Sequence, residues 1–292
     1  MRHPSAVAIS TTGDEHRMPL LRQAVENWTR CLRGDDHLFV TVDGGASDLI
    51  RVREAVGRWT SSAFRVAASR EDRLAGVRRQ GVAVNKNTGL ELMMDNTKAR
   101  HLFLSDDDTW PLYAQSLDKH IDSPLRHSMV CWGASRLTRS SKHFAEWNWP
   151  RGVMLYVDRR VVTEVGGMDE RFGAGGHEHA EWSMRIHNAG LSPVEFPSPS
   201  SYAERGVAGA ATRAGALWHC EDMRRQGEST ADFASRKRSL TTIERGAADW
   251  TRIHAIMDER KGDASYVAFR AHDNGRASAT LSSNLTSQGA DK

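Results

Sequence analysis

His101-Leu-Phe-Leu-Ser105-Asp106-Asp107-Asp108 is the stretch on which the fold of this chain turns. Its apolar half is short and unbroken between polar flanks, the pattern of a strand buried on both faces. Its acidic half sets three carboxylates in a row at the end of that strand, where their mutual repulsion is costly unless cations offset it. A divalent ion such as Mn²⁺ or Mg²⁺ does so with oxygen ligands and binds a diphosphate at the same time. A solvated acidic turn leading into the next helix fits the same residues, so the triplet alone leaves both readings open.

Upstream of this stretch the chain alternates strand-like and helix-like segments. Ala6 to Ser10 reads as a buried strand, followed by a helix with apolar positions Leu21, Ala24, Val25, Trp28 and Leu32. His37 to Val42 is a second strand, ending at Asp43-Gly44-Gly45. A helix follows over Leu49 to Trp59, then a short strand over Phe64 to Ala67 and a helix over Asn85 to Met94. This order predicts an α/β fold with a mostly parallel sheet flanked by helices, in which ligands gather outside the carboxyl ends of the strands. Thr11, Asp43 and the acidic triplet fall at such ends.

Downstream, Tyr113 to Gly166 is less regular and rich in Trp and Arg. Glu178 to Asn188 reads as a helix stopped by Gly190. Phe196 to Gly215 is a Pro, Ser, Ala and Gly loop, and Phe233 to Glu259 is again helical. From Gly262 on, the chain is small and polar apart from Tyr266 to Phe269, and is expected to be mobile.

Composition narrows the class. With 292 residues, 39% of them apolar and 26% charged, the chain suits one sizeable α/β domain with a small appendage. No apolar run approaches the roughly 20 residues a membrane-spanning helix needs, and residues Met1 to Gly13 lack a signal-peptide core, so a cytoplasmic protein without membrane contact is expected. Cys31, Cys131 and Cys220 are odd in number and widely spaced, which speaks against a disulfide framework or a zinc ribbon. A net charge of +3 is too small to establish a polyanionic partner.

A second acidic motif lies further along: Gly166-Gly-Met-Asp169-Glu-Arg-Phe172-Gly-Ala-Gly-Gly176-His177-Glu178-His179-Ala-Glu181-Trp-Ser-Met-Arg185. Glycines permit a tight approach, and acid and imidazole groups then fill the first turn of a helix. Glu181 and Arg185 stand one turn apart and are expected to pair with each other, while acids in a first turn are also favoured by the helix dipole. Glu178 and His179 are the candidates for chemistry.

Taken together and in this order, the two motifs resemble those of GT-A glycosyltransferases, particularly the family-2-like group with its "FLDDD" strand end and its "GGFDERF…G.ED.D" turn. The resemblance extends upstream. Asp43-Gly44-Gly45 is similar to the family's second-strand acid beside the nucleobase, and Gly81-Val-Ala-Val-Asn85-Lys86-Asn87-Thr-Gly89 to the segment beside the nucleotide. It covers Val7 to Leu191. It implies a UDP-sugar donor held by Thr11, Asp43, Asn85, Lys86, Asn87, Asp106 and Asp107. It further implies Mn²⁺ or Mg²⁺ on Asp106 and Asp108, with His219 completing the metal shell. The domain it implies runs over 1–262, with a nucleotide-sugar half at 1–108, an acceptor half at 109–262 and an extension at 263–292.

One departure from the family matters. Where the family has Glu-Asp, with the Asp as general base on the acceptor hydroxyl, this chain has Glu178-His179. A histidine suits base catalysis around neutral pH, since its ordinary pKa is about 6.5. Either residue is a candidate base. The run Glu178-His-Ala-Glu181-Trp-Ser183-Met-Arg185 is also similar to the "EN.E.S.R" run of polypeptide N-acetylgalactosaminyltransferases, which retain anomeric configuration, so the stereochemical outcome stays open.

Between the motifs, Trp132 to Arg151 carries Arg136, Arg139, Lys142 and Arg151 against the single acid Glu146, interleaved with Phe144, Trp147 and Trp149. Trp147, Trp149, Arg151, Arg139 and Lys142 are the candidate acceptor-binding residues. Aromatics stack on sugars, and cations beside aromatics suit phosphates and unstacked bases. The surface resembles that of phage glycosyltransferases acting on 5-hydroxymethylcytosine in DNA, with a protein or virion surface and a polysaccharide as the other acceptors. A non-enzymatic sugar-nucleotide or glycan-binding module is the reading of another class.

Overall fold

The computed structural model describes residues 3–59, 63–69, 81–113, 115–129, 136–173, 176–199, 217–219 and 250–269, with isolated positions at 61, 229 and 231–232. The strands are β1 (Ser5–Thr11), β2 (His37–Val42), β3 (Phe64–Ala68), β4 (His101–Asp106), β5 (Thr109–Pro111), β6 (His127–Met129), β7 (Leu137–Ser140), β8 (Phe144–Trp147), β9 (Met154–Asp158), β10 (Pro197–Pro199) and β11 (Leu217–His219). The helices are α1 (Met18–Cys31), α2 (Ala46–Val56), α3 (Val82–Asn96), α4 (Asp118–Ile121), α5 (Arg159–Val165), α6 (Glu178–Asn188) and α7 (Trp250–Glu259).

A six-stranded sheet in the order β3-β2-β1-β4-β9-β6 forms the body. Strands β1 to β4 are parallel, and β9 and β6 join antiparallel. The chain therefore winds from β1 outward to β3, then returns to the other side of β1 to lay down β4. That reversal opens a crevice between the carboxyl ends of β1 and β4, the place where ligands of open α/β sheets bind. Ser10 stands opposite Asp106 across it.

The alternation along β1 explains the two layers. Val7 and Ile9 face a core with Leu21, Val25 and Trp28 of α1 and Val52 of α2. Ala6 and Ala8 face the other core, with Leu90 and Met93 of α3, Val162 of α5 and Trp182 and Ile186 of α6. The alanines are small for a reason. A Cβ added at Gly89 would stand 2.7 Å from that of Ala8, so α3 lies against the sheet at a distance only glycine permits. The helix is consequently buried nearly all round, including its polar residues Asn85, Lys86 and Asn87.

The expected strands and helices of residues 1–106 and helix α6 are present, and the irregular middle proves to hold β6 to β9 and α5. The extension expected from residue 263 is packed over its first residues. Val267 bridges to Gly166, and Phe269 is buried in the second core. Of the helix expected over Phe233 to Glu259, Trp250–Glu259 is present as α7, and 233–249 lie outside the described residues, as do most of the Phe196 to Gly215 loop and Trp132.

The far side of the sheet holds a group of buried histidines. His120 bonds the Ser128 hydroxyl at 2.8 Å, and His127 lies between the Tyr156 carbonyl at 3.0 Å and the Ser183 hydroxyl at 2.8 Å. Burial holds His120 down to about 3 and His127 down to about 4, both below an unfolded histidine. The unfolded chain binds these protons first as pH falls, so their contribution is intact above about 6.5 and is lost towards pH 4. Each should cost about 2 kcal/mol of unfolding free energy between pH 7 and pH 5. Urea midpoints across that range should fall for the native protein and fall less for His127→Asn. A native protein as stable at pH 5 as at pH 7 would contradict the assignment.

Candidate active site at the carboxyl edge of the sheet

The three consecutive carboxylates turn to three different environments. Asp106, the last residue of β4, keeps 30% of its side chain exposed and lies 3.2 Å from Lys86 Nζ. Asp107 turns inward, accepting from the Thr11 hydroxyl at 2.5 Å and from Arg17 through Nε at 3.2 Å and through a second guanidinium nitrogen. Burial holds the Asp107 carboxyl above its ordinary range, against the pull of the Arg17 charge. Asp108 is also buried and lies 3.3 Å from the same guanidinium. Arg17 follows the β1 loop directly, and no sequence pattern marks it as a partner of residues ninety positions away.

Of the residues expected around the donor, the structure gathers some at this edge and gives others scaffold duties. Thr11 ties Asp107 to the loop, also accepting from the Gly13 amide at 3.1 Å. Asp43 is buried and accepts from the Gly81 amide at 2.8 Å, fixing the start of α3, where Gly81 has φ 107. Asn85 donates to the Thr11 carbonyl at 3.2 Å, while its Oδ1 is buried without a hydrogen bond among the described residues. Asn87 is fully buried and braces α3 to the turn after α5, exchanging bonds of 2.9 Å with Met168 in both directions and donating to Glu170 at 3.1 Å. It therefore serves the scaffold and does not face the crevice.

Lys86 links the two acidic motifs. Its ammonium is buried and donates to the Gly152 carbonyl at 2.6 Å, beside Asp106 at 3.2 Å and Glu178 at 4.0 Å. A buried ammonium is tolerated because each of its neighbours is an oxygen and two are charged. Helix α6 opens at Glu178, preceded by His177 at φ 71, a left-handed conformation that a non-glycine residue adopts at a cost. His179 Nδ1 is 3.2 Å from Glu178 Oε1. Burial would raise the Glu178 carboxyl, but the adjacent His179 and Lys86 hold it down to about 2. Glu181 and Arg185 pair with each other at 2.7 and 3.0 Å in the interior, as their spacing predicts.

On the acceptor side, β7 and β8 form a hairpin whose Arg139 and Lys142 are exposed, with the Arg139 guanidinium 5.6 Å over the Phe144 ring. Trp149 is 51% exposed and meets the His177 ring edge-on at 5.2 Å. Arg151 is half-buried next to Gly152. Trp147 is not on that surface. It is packed in the second core and its indole N–H donates to the Ser198 hydroxyl at 2.8 Å, because alternation along β8 turns it inward. His219 lies on β11, which pairs antiparallel with β5 and places its backbone opposite Thr109, the residue after Asp108.

Among the described residues no three His, Cys, Asp or Glu side chains are gathered closely enough to hold an ion by themselves. Asp106, Asp107, Asp108 and Glu178 nevertheless gather at this edge around Arg17 and Lys86, and carboxylate oxygens of this kind suit a divalent cation.

A mostly parallel sheet flanked by helices, with an acidic strand end at its switch point, is the GT-A architecture. The assignment rests on the structure of GalNAc-T7 with UDP, GalNAc and Mn²⁺, on which the chain superposes with a TM-score of 0.53 and 11% identity. The match covers 96% of this chain and 58% of that one, so the chain spans just over half its length. The mannosyltransferase PcManGT from Pyrobaculum calidifontis, in complex with GDP-Man and Mn²⁺, gives a TM-score of 0.47 at 13% identity, covering 98% and 80% of the two chains. A Drosophila β1,4-galactosyltransferase 7 complex with manganese, UDP-Gal and xylobiose gives 0.44 at 19% identity, covering 77% and 73%. At these identities the likeness establishes the fold. No protein-family model and no curated protein matches the sequence. Among the described residues, no helix is long and apolar enough to cross a membrane.

Proposed function

We propose that this chain is a metal-dependent glycosyltransferase that moves a sugar from a UDP-sugar to a hydroxyl acceptor. The observation that carries the reading is the gathering of Asp106, Asp107, Asp108 and Glu178 at the switch point of the sheet. Asp106 and Asp108 would hold Mn²⁺ or Mg²⁺, with His219 and diphosphate oxygens completing the shell. Magnesium and manganese ions are commonly held by one or two carboxylates plus substrate phosphates. The ion would neutralise the charge that develops on the departing nucleoside diphosphate. Arg17 and Thr11 keep Asp107 turned inward. Asp43 and the unbonded Oδ1 of Asn85 are the polar groups on the nucleoside side. Glu178 and His179 stand on the acceptor side as the source of the base. Turnover of a UDP-sugar with metal, even to water, would separate this reading from that of a sugar-nucleotide-binding module.

For the acceptor we take 5-hydroxymethylcytosine in DNA, supported by the exposed cations of the β7–β8 hairpin and the exposed indole of Trp149. Phosphate contacts release counterions, so log K for duplex DNA should fall linearly with log salt, and replacing Arg139 or Lys142 with Ala should flatten the slope by about one unit each. Duplex DNA containing 5-hydroxymethylcytosine should gain one hexose per modified base, and unmodified DNA none, because it offers no hydroxymethyl nucleophile. Labelling of a protein or glycan acceptor in place of hydroxymethylated DNA would leave the transferase reading standing and end the DNA one.

A further inference from the structure

The pair at the start of α6 is unequal. Glu178 keeps 3% of its side chain exposed and His179 keeps 17%. An acceptor hydroxyl can therefore reach the imidazole far more readily than the carboxylate. The carboxylate is also engaged from both sides, by His179 Nδ1 at 3.2 Å and by Lys86 Nζ at 4.0 Å, while its Oε2 makes no hydrogen bond among the described residues. An ionised carboxylate only accepts hydrogen bonds, so the contact requires the proton to sit on Nδ1. That leaves Nε2 with its lone pair. The ring also lies close against Gly152. A Cβ at Gly152 would stand 2.6 Å from Nδ1 and 2.7 Å from Cγ of His179, and the Gly152 carbonyl is in turn bonded by Lys86.

We infer that Glu178 and His179 form a dyad in which His179 is the base through Nε2, Glu178 is a positioning residue that accepts the Nδ1–H, and Gly152 leaves the room in which the ring lies. The inference rests on the transferase reading with inversion at the anomeric carbon. In the step it describes, the acceptor O–H proton passes to His179 Nε2 as the acceptor oxygen bonds the anomeric carbon of the donor sugar. The bond from that carbon to the diphosphate oxygen breaks, and its electron pair leaves with the nucleoside diphosphate. The imidazolium then returns its proton to water. Glu178 steadies the imidazolium as it forms, and does so strongly because the carboxylate is shielded from water. Among the described residues, the charged and titratable groups near the imidazole include Glu178 and His177 at the start of its own helix, Lys86 of α3 behind Glu178 with Asp106 beyond it, His254 of α7 next to His177, and Arg151, which precedes Gly152.

Three variants and two readouts test the dyad. Glu178→Gln keeps a hydrogen-bond acceptor and removes the charge. It should lower kcat about 10- to 100-fold with KM little changed. Gly152→Ala should lower kcat with donor affinity preserved. His179→Ala should remove the rising limb of the pH–rate profile altogether. Independently of turnover, ¹⁵N spectra of the ring above its titration should show the Nδ1–H tautomer in the native protein, and Glu178→Gln should shift it toward Nε2–H. A native Nε2–H tautomer, or loss of the limb in Glu178→Gln with its retention in His179→Ala, would overturn the dyad. Absence of transfer to every acceptor, with the Nδ1–H tautomer observed, would instead count against the transferase reading alone.

Discussion

Removing divalent metal should abolish sugar transfer, and Mn²⁺ added back should restore it. The expectation follows from the gathering of Asp106, Asp107, Asp108 and Glu178 at one edge of the sheet. Without the cation, a nucleoside diphosphate would approach these carboxylates directly, and its departure would go unneutralised. Asp108→Asn should lower UDP affinity in Mn²⁺ by roughly tenfold or more, the effect of losing one charged ligand worth about 1.4 kcal/mol or above, while leaving metal-free affinity nearly unchanged. Asp107→Asn should behave differently. Its carboxylate is held by Arg17 and Thr11 inside the protein, so the variant should lose thermal stability more than metal-dependent UDP binding. Calorimetry of UDP with and without Mn²⁺ measures both. Equal UDP binding by the native protein and Asp108→Asn in Mn²⁺ would remove the metal from this edge.

His179→Ala should lower turnover by about 100-fold or more, the usual contribution of a positioned general base. Donor binding should survive, because Lys86 is held by the Gly152 carbonyl and Asp106 without a bond to the imidazole among the described residues. Single-turnover rates against UDP affinity separate the two effects. Unchanged turnover in this variant would return the role to Glu178. The comparison is informative because burial and charge already distinguish the two residues. The adjacent His179 and Lys86 hold Glu178 ionised, down to about 2, so its charge is present across the whole range in which such an enzyme works.

Some of this was legible in the chain itself. The short apolar runs of Ala6–Ser10, His37–Val42 and His101–Ser105, separated by helical periodicity, are enough to set a parallel sheet whose carboxyl edge carries Thr11, Asp43 and Asp106 to Asp108. The four-residue spacing of Glu181 and Arg185 is enough to pair them with each other. These are properties of neighbouring residues on one element, where geometry repeats with a fixed period.

The tertiary structure decided what no such period records. That Asp107 turns inward depends on Arg17 arriving from the far side of β1. That Asn87 braces the scaffold depends on the turn at Met168 meeting α3. Trp147 and Trp149 stand two apart with Trp147 in the core and Trp149 half in solvent, because β8 is covered on one face and ends before the second indole. The inequality of Glu178 and His179 belongs to the same class. Adjacent residues in a sequence differ by about 100° around a helix, and which of the two is buried against Lys86 is settled only when α3, the Gly152 loop and α6 come together.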